Sequence, residues 1–234
     1  MRTGFACLFY GGPGTGKTET ARQIAKATGR SVMQVDISSA KGCWVGESEK
    51  ITKGIFERYR KAVENANIVP ILLFNEADAI INKRQELGKS WNGPLRMENA
   101  VQNIILQEME TFDGILIATS NMAQNMDEAF ERRFLYKIKF EMPTLTARES
   151  IWKAMIPELP DEDITVLAKE FDFSGGQIEN ITRRCTTATV LYGRLPNLDE
   201  LITYCREEQP ELDGTKHIGF VTAQTTSRNP RSRL

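Results

Sequence analysis

The sequence is short of several things. Its sole histidine is His217, so no His-Glu-x-x-His zinc helix, and hence no fused metalloprotease, lies in this chain. Cysteine is sparse and scattered. Cys7, Cys43, Cys185 and Cys205 show no paired metal-ligand spacing, which reads as reduced, mostly buried thiols and no zinc site. Thirty basic residues against thirty-one acidic ones give a formal net charge of −1, so no overall field draws the chain to nucleic acid or anionic lipid. No apolar run approaches the roughly 20 residues of a spanning helix, and the N-terminus lacks a charged-then-apolar signal pattern. No membrane partner and a cytoplasmic location are therefore expected. What is present is ordinary globular material: 41% hydrophobic and 26% charged over 234 residues, enough for one large domain or a domain with a small companion.

The first two-thirds alternates short apolar runs with helix-period segments, the pattern of a parallel sheet covered by helices. Residues 5–10, 32–36, 68–75, 115–118 and 135–140 read as five buried strands. Residues 18–28 place Ala21, Ile24, Ala25 and Thr28 on one helical face and stop at Gly29. Ile51, Ile55, Tyr59 and Ala62 repeat the device. After Pro143 the strand signals end and helix starts with capping pairs begin: Thr146 with Glu149, Ser174 with Gln177, and Asn197 with Glu200. A further helix is marked by Ile164, Leu167, Ala168 and Phe171. The expected division is an α/β unit over residues 1–143, a helical subdomain over 144–212, and a tail without apolar period, disordered, over 213–234.

Directly after the first strand comes Gly11-Gly12-Pro13-Gly14-Thr15-Gly16-Lys17-Thr18, a match to G-x-x-x-x-G-K-[ST] running into a helix. Glycines let successive backbone N–H groups turn inward around phosphates, and the helix N-terminus adds partial positive charge there. Gly12, Pro13, Gly14, Thr15, Gly16, Lys17, Thr18 and Glu19 are the expected nucleotide-binding positions. Lys17 neutralises the β and γ phosphates, and Thr18 offers its hydroxyl to Mg²⁺. The third strand runs into Asn75-Glu76-Ala77-Asp78. Hydrolytic P-loop proteins end this strand in Asp-Glu, the first ordering the magnesium shell and the second polarising water. Glu76 is the candidate base. Asn75 keeps an acceptor oxygen beside the metal but brings no charge.

With these motifs in order, the chain resembles the AAA family of ATPases over nearly its whole length. The resemblance implies a P-loop α/β fold with a helical lid, ATP and Mg²⁺ as cofactors, and a homo-oligomeric ring, usually a hexamer, acting on protein or peptide substrates. Trp44-Val45-Gly46 looks like a pore loop that grips polypeptide; an aromatic beside Val and Gly before a polar helix start also suits an exposed loop. Asn121, closing the fourth strand, is similar to the residue that positions the hydrolytic water. Arg132 and Arg133 resemble arginine fingers reaching a neighbouring subunit's γ-phosphate, although the Pro-Gly that usually separates the two is absent and leaves open which is the finger. Gly175 and Gly176 fall where small lid residues meet the adenine, and Ile151 and Met155 on the first lid helix line the base pocket. Residues 96–114 look like the helix after a second pore loop. Because Gly11 arrives almost at once, the chain is expected to be a fragment of a longer protein.

The reading that follows is ATP hydrolysis coupled to threading, unfolding or remodelling of proteins. The alternative is an ATP-binding oligomeric scaffold with little turnover, on account of Asn75. A DNA-handling ATPase shares the core but calls for a basic inner surface; near-neutral charge and Trp44 speak against nucleic acid as partner.

Overall fold

The computed structural model describes residues 4–36, 47–82, 93–121 and 126–209. Trp44, Val45 and Gly46, Cys43, and the tail from 213 lie outside the described residues.

Five strands, β1 (Phe5–Gly11), β2 (Val32–Asp36), β3 (Ile71–Asn75), β4 (Ile115–Ser120) and β5 (Tyr136–Phe140), form one parallel sheet in the order β2-β3-β4-β1-β5. The expected α/β architecture is therefore present, with corrections in detail. β3 starts at Ile71, because Pro70 has no N–H for the ladder and gives its carbonyl to the Tyr59 hydroxyl at 2.8 Å. β1, β3 and β4 are buried, whereas β5 is not: Tyr136 and Ile138 stand about half exposed because β5 is the sheet's edge.

Helix α1 (Lys17–Ala27) packs Ala21 and Ala25 over Cys7, Phe9, Ile71, Leu73 and Ile117 on one sheet face. On the other face, α2 (Glu47–Glu64) and α4 (Gly93–Glu110) press Phe56, Tyr59, Ile105 and Met109 onto Leu8, Leu72, Phe74 and Leu116. Tyr59 ties this layer together: its hydroxyl also accepts from the N–H of Ile115 at 3.0 Å. Gly114 must be glycine for the same reason, since a Cβ there would strike that ring. Two one-turn helices, α3 (Asp78–Ile81) and α5 (Glu128–Glu131), follow β3 and precede β5.

The helices α6 (Leu145–Met155), α7 (Asp161–Glu170), α8 (Gly175–Tyr192) and α9 (Leu198–Glu208) gather a core of their own around Trp152, Leu167, Ile178, Ile181 and Leu201. Ser174/Gln177 and Asn197/Glu200 form full reciprocal capping boxes. The first lid helix is capped by Thr144, not Thr146; Thr144 follows Pro143 in an extended conformation and accepts from Ala147 N–H at 3.3 Å. Thr146 already lies inside the first turn. Cys7, Cys185 and Cys205 are buried. Among the described residues no helix is long and apolar enough to cross a membrane.

β3 and β4 run in register through Phe74 and Ala118, and β4 and β1 through Ser120 and Tyr10. Asn75, Thr119, Ser120 and Gly11 therefore reach the same carboxyl edge, where parallel sheets place ligands.

Candidate nucleotide site

At that edge the chain leaves β1 through Gly11, turns through Gly14 (φ 72°) and Gly16 (φ 90°), and enters α1 at Lys17. These positive φ values are open to glycine at little cost. The turn aims the Lys17 ammonium back at its own loop, where it donates to the carbonyls of Gly11 (2.9 Å) and Gly12 (2.7 Å). The Gly12 carbonyl also accepts from the Thr15 hydroxyl at 2.8 Å. Burial pushes the Lys17 pKa down, opposed by the Asp78 carboxylate nearby.

β3 and β4 present a polar relay beside this loop. The Thr18 hydroxyl donates to Asn75 Oδ1 at 2.7 Å, and the Thr119 hydroxyl reaches the same oxygen at 3.2 Å. The Glu76 N–H in turn donates to Thr119 Oγ1 at 3.1 Å. Glu76 has φ 53°, the one positive φ of a non-glycine residue among the described residues, so its exposed carboxylate is turned out of the strand direction at some backbone cost. Asp78, next along, accepts from the Ser120 hydroxyl at 2.6 Å and from the Asn121 N–H at 3.0 Å. The carboxylate of one strand end thus fixes the amide residue closing the next.

The helical lid closes the other side. Gly176 N–H donates to the Gly14 carbonyl at 3.0 Å, and a Cβ on Gly14 would come within 2.5 Å of Ser174 Oγ. Between the loop and α8 lies a cavity of about 760 Å³. It is lined by Pro13, Gly14, Gly16, Lys17, Thr18 and Glu19 from the loop and by Asn75, Glu76 and Asn121 from the strand ends. Ile151, Met155, Gly175 and Gly176 line it from the lid. Gly12 and Thr15 belong to the loop without lining it. The glycine turn thus faces the apolar Ile151 and Met155 across one cavity, in the size range of ligand pockets.

A model of the ATPase family associated with various cellular activities matches residues 7–142. The chain belongs to the AAA family.

Across 96% of its length it is 29% identical to fidgetin-like protein 1 of Drosophila melanogaster, spanning 44% of that protein. It is also 29% identical to the proteasome-activating nucleotidase of Sulfurisphaera tokodaii over 84% of this chain and 51% of that one. The sea urchin Strongylocentrotus purpuratus has a katanin p60 ATPase-containing subunit A1 that is 28% identical over 75% of this chain and 35% of its own. The chain therefore spans about half the length, or less, of these curated relatives. In fold it is similar to the FIGL-1 AAA domain in complex with ADP, with a TM-score of 0.68 at 20% identity over 89% of this chain and 73% of that one.

The two arginines of this AAA domain part company, and neither lines the cavity. Arg133 is held: its Nε donates to Leu106 O at 3.2 Å, Nη1 to Ala129 O at 3.1 Å, and Nη2 pairs with Glu110. Its task is to pin α5 to α4. Arg132 has a side chain 79% exposed, and among the described residues its one ion pair is with Glu128, at 3.8 Å.

Thr119, Asp78, Arg22, Glu179, Thr182 and Arg183 join the site without having been singled out as site residues by sequence reasoning. Only Thr119 and Ser120 carry a local signal, as polar residues ending an apolar strand. The donor set around Thr18 and Asn75 consists of oxygens, which suits Mg²⁺. Among the described residues no group of three or more His, Cys, Asp or Glu is arranged to hold a metal by itself.

Proposed function

We propose that this chain hydrolyses ATP as one subunit of a homo-oligomeric ring, a hexamer by family resemblance, and that the cycle moves or remodels protein substrates in the cytoplasm. The observation that carries this reading is the position of Glu76. At the left-handed end of β3, Glu76 lines the same cavity as Lys17. There it can take a proton from water attacking a terminal phosphate. Lys17, Gly14 and Gly16 hold the phosphates. Because Thr18 sends its proton to Asn75, its lone pairs are left for a metal. Thr18 and Asn75 are the residues that would hold Mg²⁺, which would supply positive charge against the phosphates. Asn121, fixed through its N–H by Asp78, orients the water. Ile151 and Met155 support the base.

Arg132, exposed and loosely paired, is the finger that acts on the adjoining subunit; Arg133 is occupied inside its own chain. The hydrogen bond from Gly176 to Gly14 connects the phosphate loop to the lid, so a change at the phosphates can alter lid angle. Trp44, Val45 and Gly46 are proposed to grip the substrate in the pore. The relatives named for the proteasome and for katanin support a protein substrate.

Phosphate release against protein concentration tests the reading. Specific activity should rise steeply on association and vanish in Glu76→Gln. A second reading rests on Asn75, whose neutral oxygen is already shared by two hydroxyl donors. It holds that the ring binds ATP as a scaffold with little turnover. Undetectable phosphate release at saturating Mg-ATP, with assembly intact, would favour it.

A further inference from the structure

We propose that Thr182 reads the base of the nucleotide, selecting 6-amino purines over 6-oxo purines by presenting a hydroxyl that can only accept. The cavity does not stop at Gly176; it continues along one face of α8 through Glu179, Thr182 and Thr186. Thr182 is half-buried beside Met155. Its oxygen lies 2.9 Å from the Ile178 carbonyl and 3.8 Å from Met155 Sδ. Both neighbours are acceptors, so the hydroxyl proton is committed to one of them. No hydrogen bond to the Thr182 oxygen from a donor is found among the described residues, which leaves its lone pairs unclaimed on a residue that lines the cavity.

The neighbours do not compete for the role. Arg183, which also lines the cavity from α8, gives its guanidinium to Glu179 at 2.5 Å. Thr186 also spends its proton within the helix, on the Thr182 carbonyl at 3.0 Å, but it is exposed and water can serve its lone pairs. Ile151 and Met155 provide the apolar shelf against which a flat base rests. A 6-amino group brought to Thr182 donates into waiting lone pairs. A 6-oxo group brings lone pairs against lone pairs, and can be accepted only by swinging the hydroxyl proton off Ile178. One neutral hydrogen bond of this kind corresponds to about tenfold in affinity.

The proposal rests on the reading that a nucleotide base occupies this cavity, and the test keeps the two apart. ADP and IDP are competed against a fluorescent ADP on the full chain, for wild type, Thr182→Val and Thr182→Ser. Diphosphates avoid turnover, and valine keeps the side chain's shape. Wild type should prefer ADP by about tenfold. Thr182→Val should lose that preference by weakening ADP without weakening IDP, and Thr182→Ser should restore it. An unchanged ADP-to-IDP ratio in a Thr182→Val protein that still binds ADP overturns the role of Thr182 alone. Failure of wild type to bind ADP at all overturns it together with the nucleotide site.

Discussion

Separating Arg132 from Arg133 tests the ring mechanism at its most exposed point. Arg133 donates to two carbonyls and pairs with Glu110, with only 17% of its side chain exposed. Charge-assisted hydrogen bonds to a partly buried guanidinium are worth about 2 kcal/mol net, so Arg133→Ala should lower the melting temperature by roughly 4–8 °C. Arg132 offers no such holding. Its pairing with Glu128 joins two groups about four-fifths exposed, and Arg132→Ala should leave the melting temperature nearly unchanged. Turnover should behave in the opposite way. Loss of a finger supplied by a neighbour removes ~10³-fold or more of phosphoryl-transfer rate. The decisive assay mixes Arg132→Ala with Glu76→Gln. Each variant alone is inactive, but at a mixed interface an intact Glu76 site meets an intact Arg132. In an equimolar random ring about a quarter of the head-to-tail interfaces have this arrangement, so activity should reappear on mixing. A mixture as dead as its components, in rings shown to exchange subunits, refutes the assignment. So does an Arg132→Ala protein that turns over normally.

Three further outcomes follow from the same geometry. Asn75→Asp should keep the acceptor for Thr18 while adding a charge at the metal; phosphate release titrated with Mg²⁺ should show the half-saturating concentration falling about tenfold, with the saturated rate little changed. Gly14→Ala puts a methyl within 2.5 Å of Ser174 Oγ at φ 72°, so the lid must lift from the phosphate loop; hydrogen exchange at Gly176 should quicken, and ADP affinity should fall by about tenfold or more. Burial holds the Cys185 thiol up at about 11 and that of Cys205 at about 12, from 9.0 when unfolded. The folded chain then keeps protons that the unfolded chain releases, so the contribution of these thiols to stability is complete below pH 9 and should decline between pH 9 and 12, visible as a falling urea midpoint that Cys205→Ala flattens.

What the sequence revealed and what it hid divide along the range of the interactions. The glycine turn into α1 is written in eight consecutive residues, and the capping boxes at Ser174 and Asn197 in four each, so spacing alone exposes them. The edge position of β5 is set by which strand pairs with which. Tyr136 and Ile138 are apolar enough for a core, and only the alternating Lys137 and Lys139 hint locally that the sheet ends there. Arg132 and Arg133 are adjacent in sequence and identical in type; only α4, more than twenty residues earlier, decides which one is tied down. Thr182 was invisible for a related reason, since a threonine in a helix gives no sign that it lines a cavity.

Asn75 and Asp78 are best understood together. A carboxylate at position 75 would sit directly on the Thr18 hydroxyl; the amide there keeps the hydrogen bond without the charge. The charge is not lost from the neighbourhood, because Asp78 lies close enough to raise the Lys17 pKa against burial while it holds Ser120 and Asn121. One acid thereby supports the loop lysine electrostatically and fixes the end of β4 at Ser120 and Asn121 by hydrogen bonds. These two tasks respond differently to substitution. Asp78→Asn retains an acceptor for Ser120 and removes only the charge, whereas Asp78→Ala removes both. If the hydrogen bonds matter more, Asp78→Asn should keep most of the rate and Asp78→Ala should lose it. Combining Asp78→Ala with Asn121→Ala should then cost no more than Asn121→Ala alone, because residues that act through one another do not add.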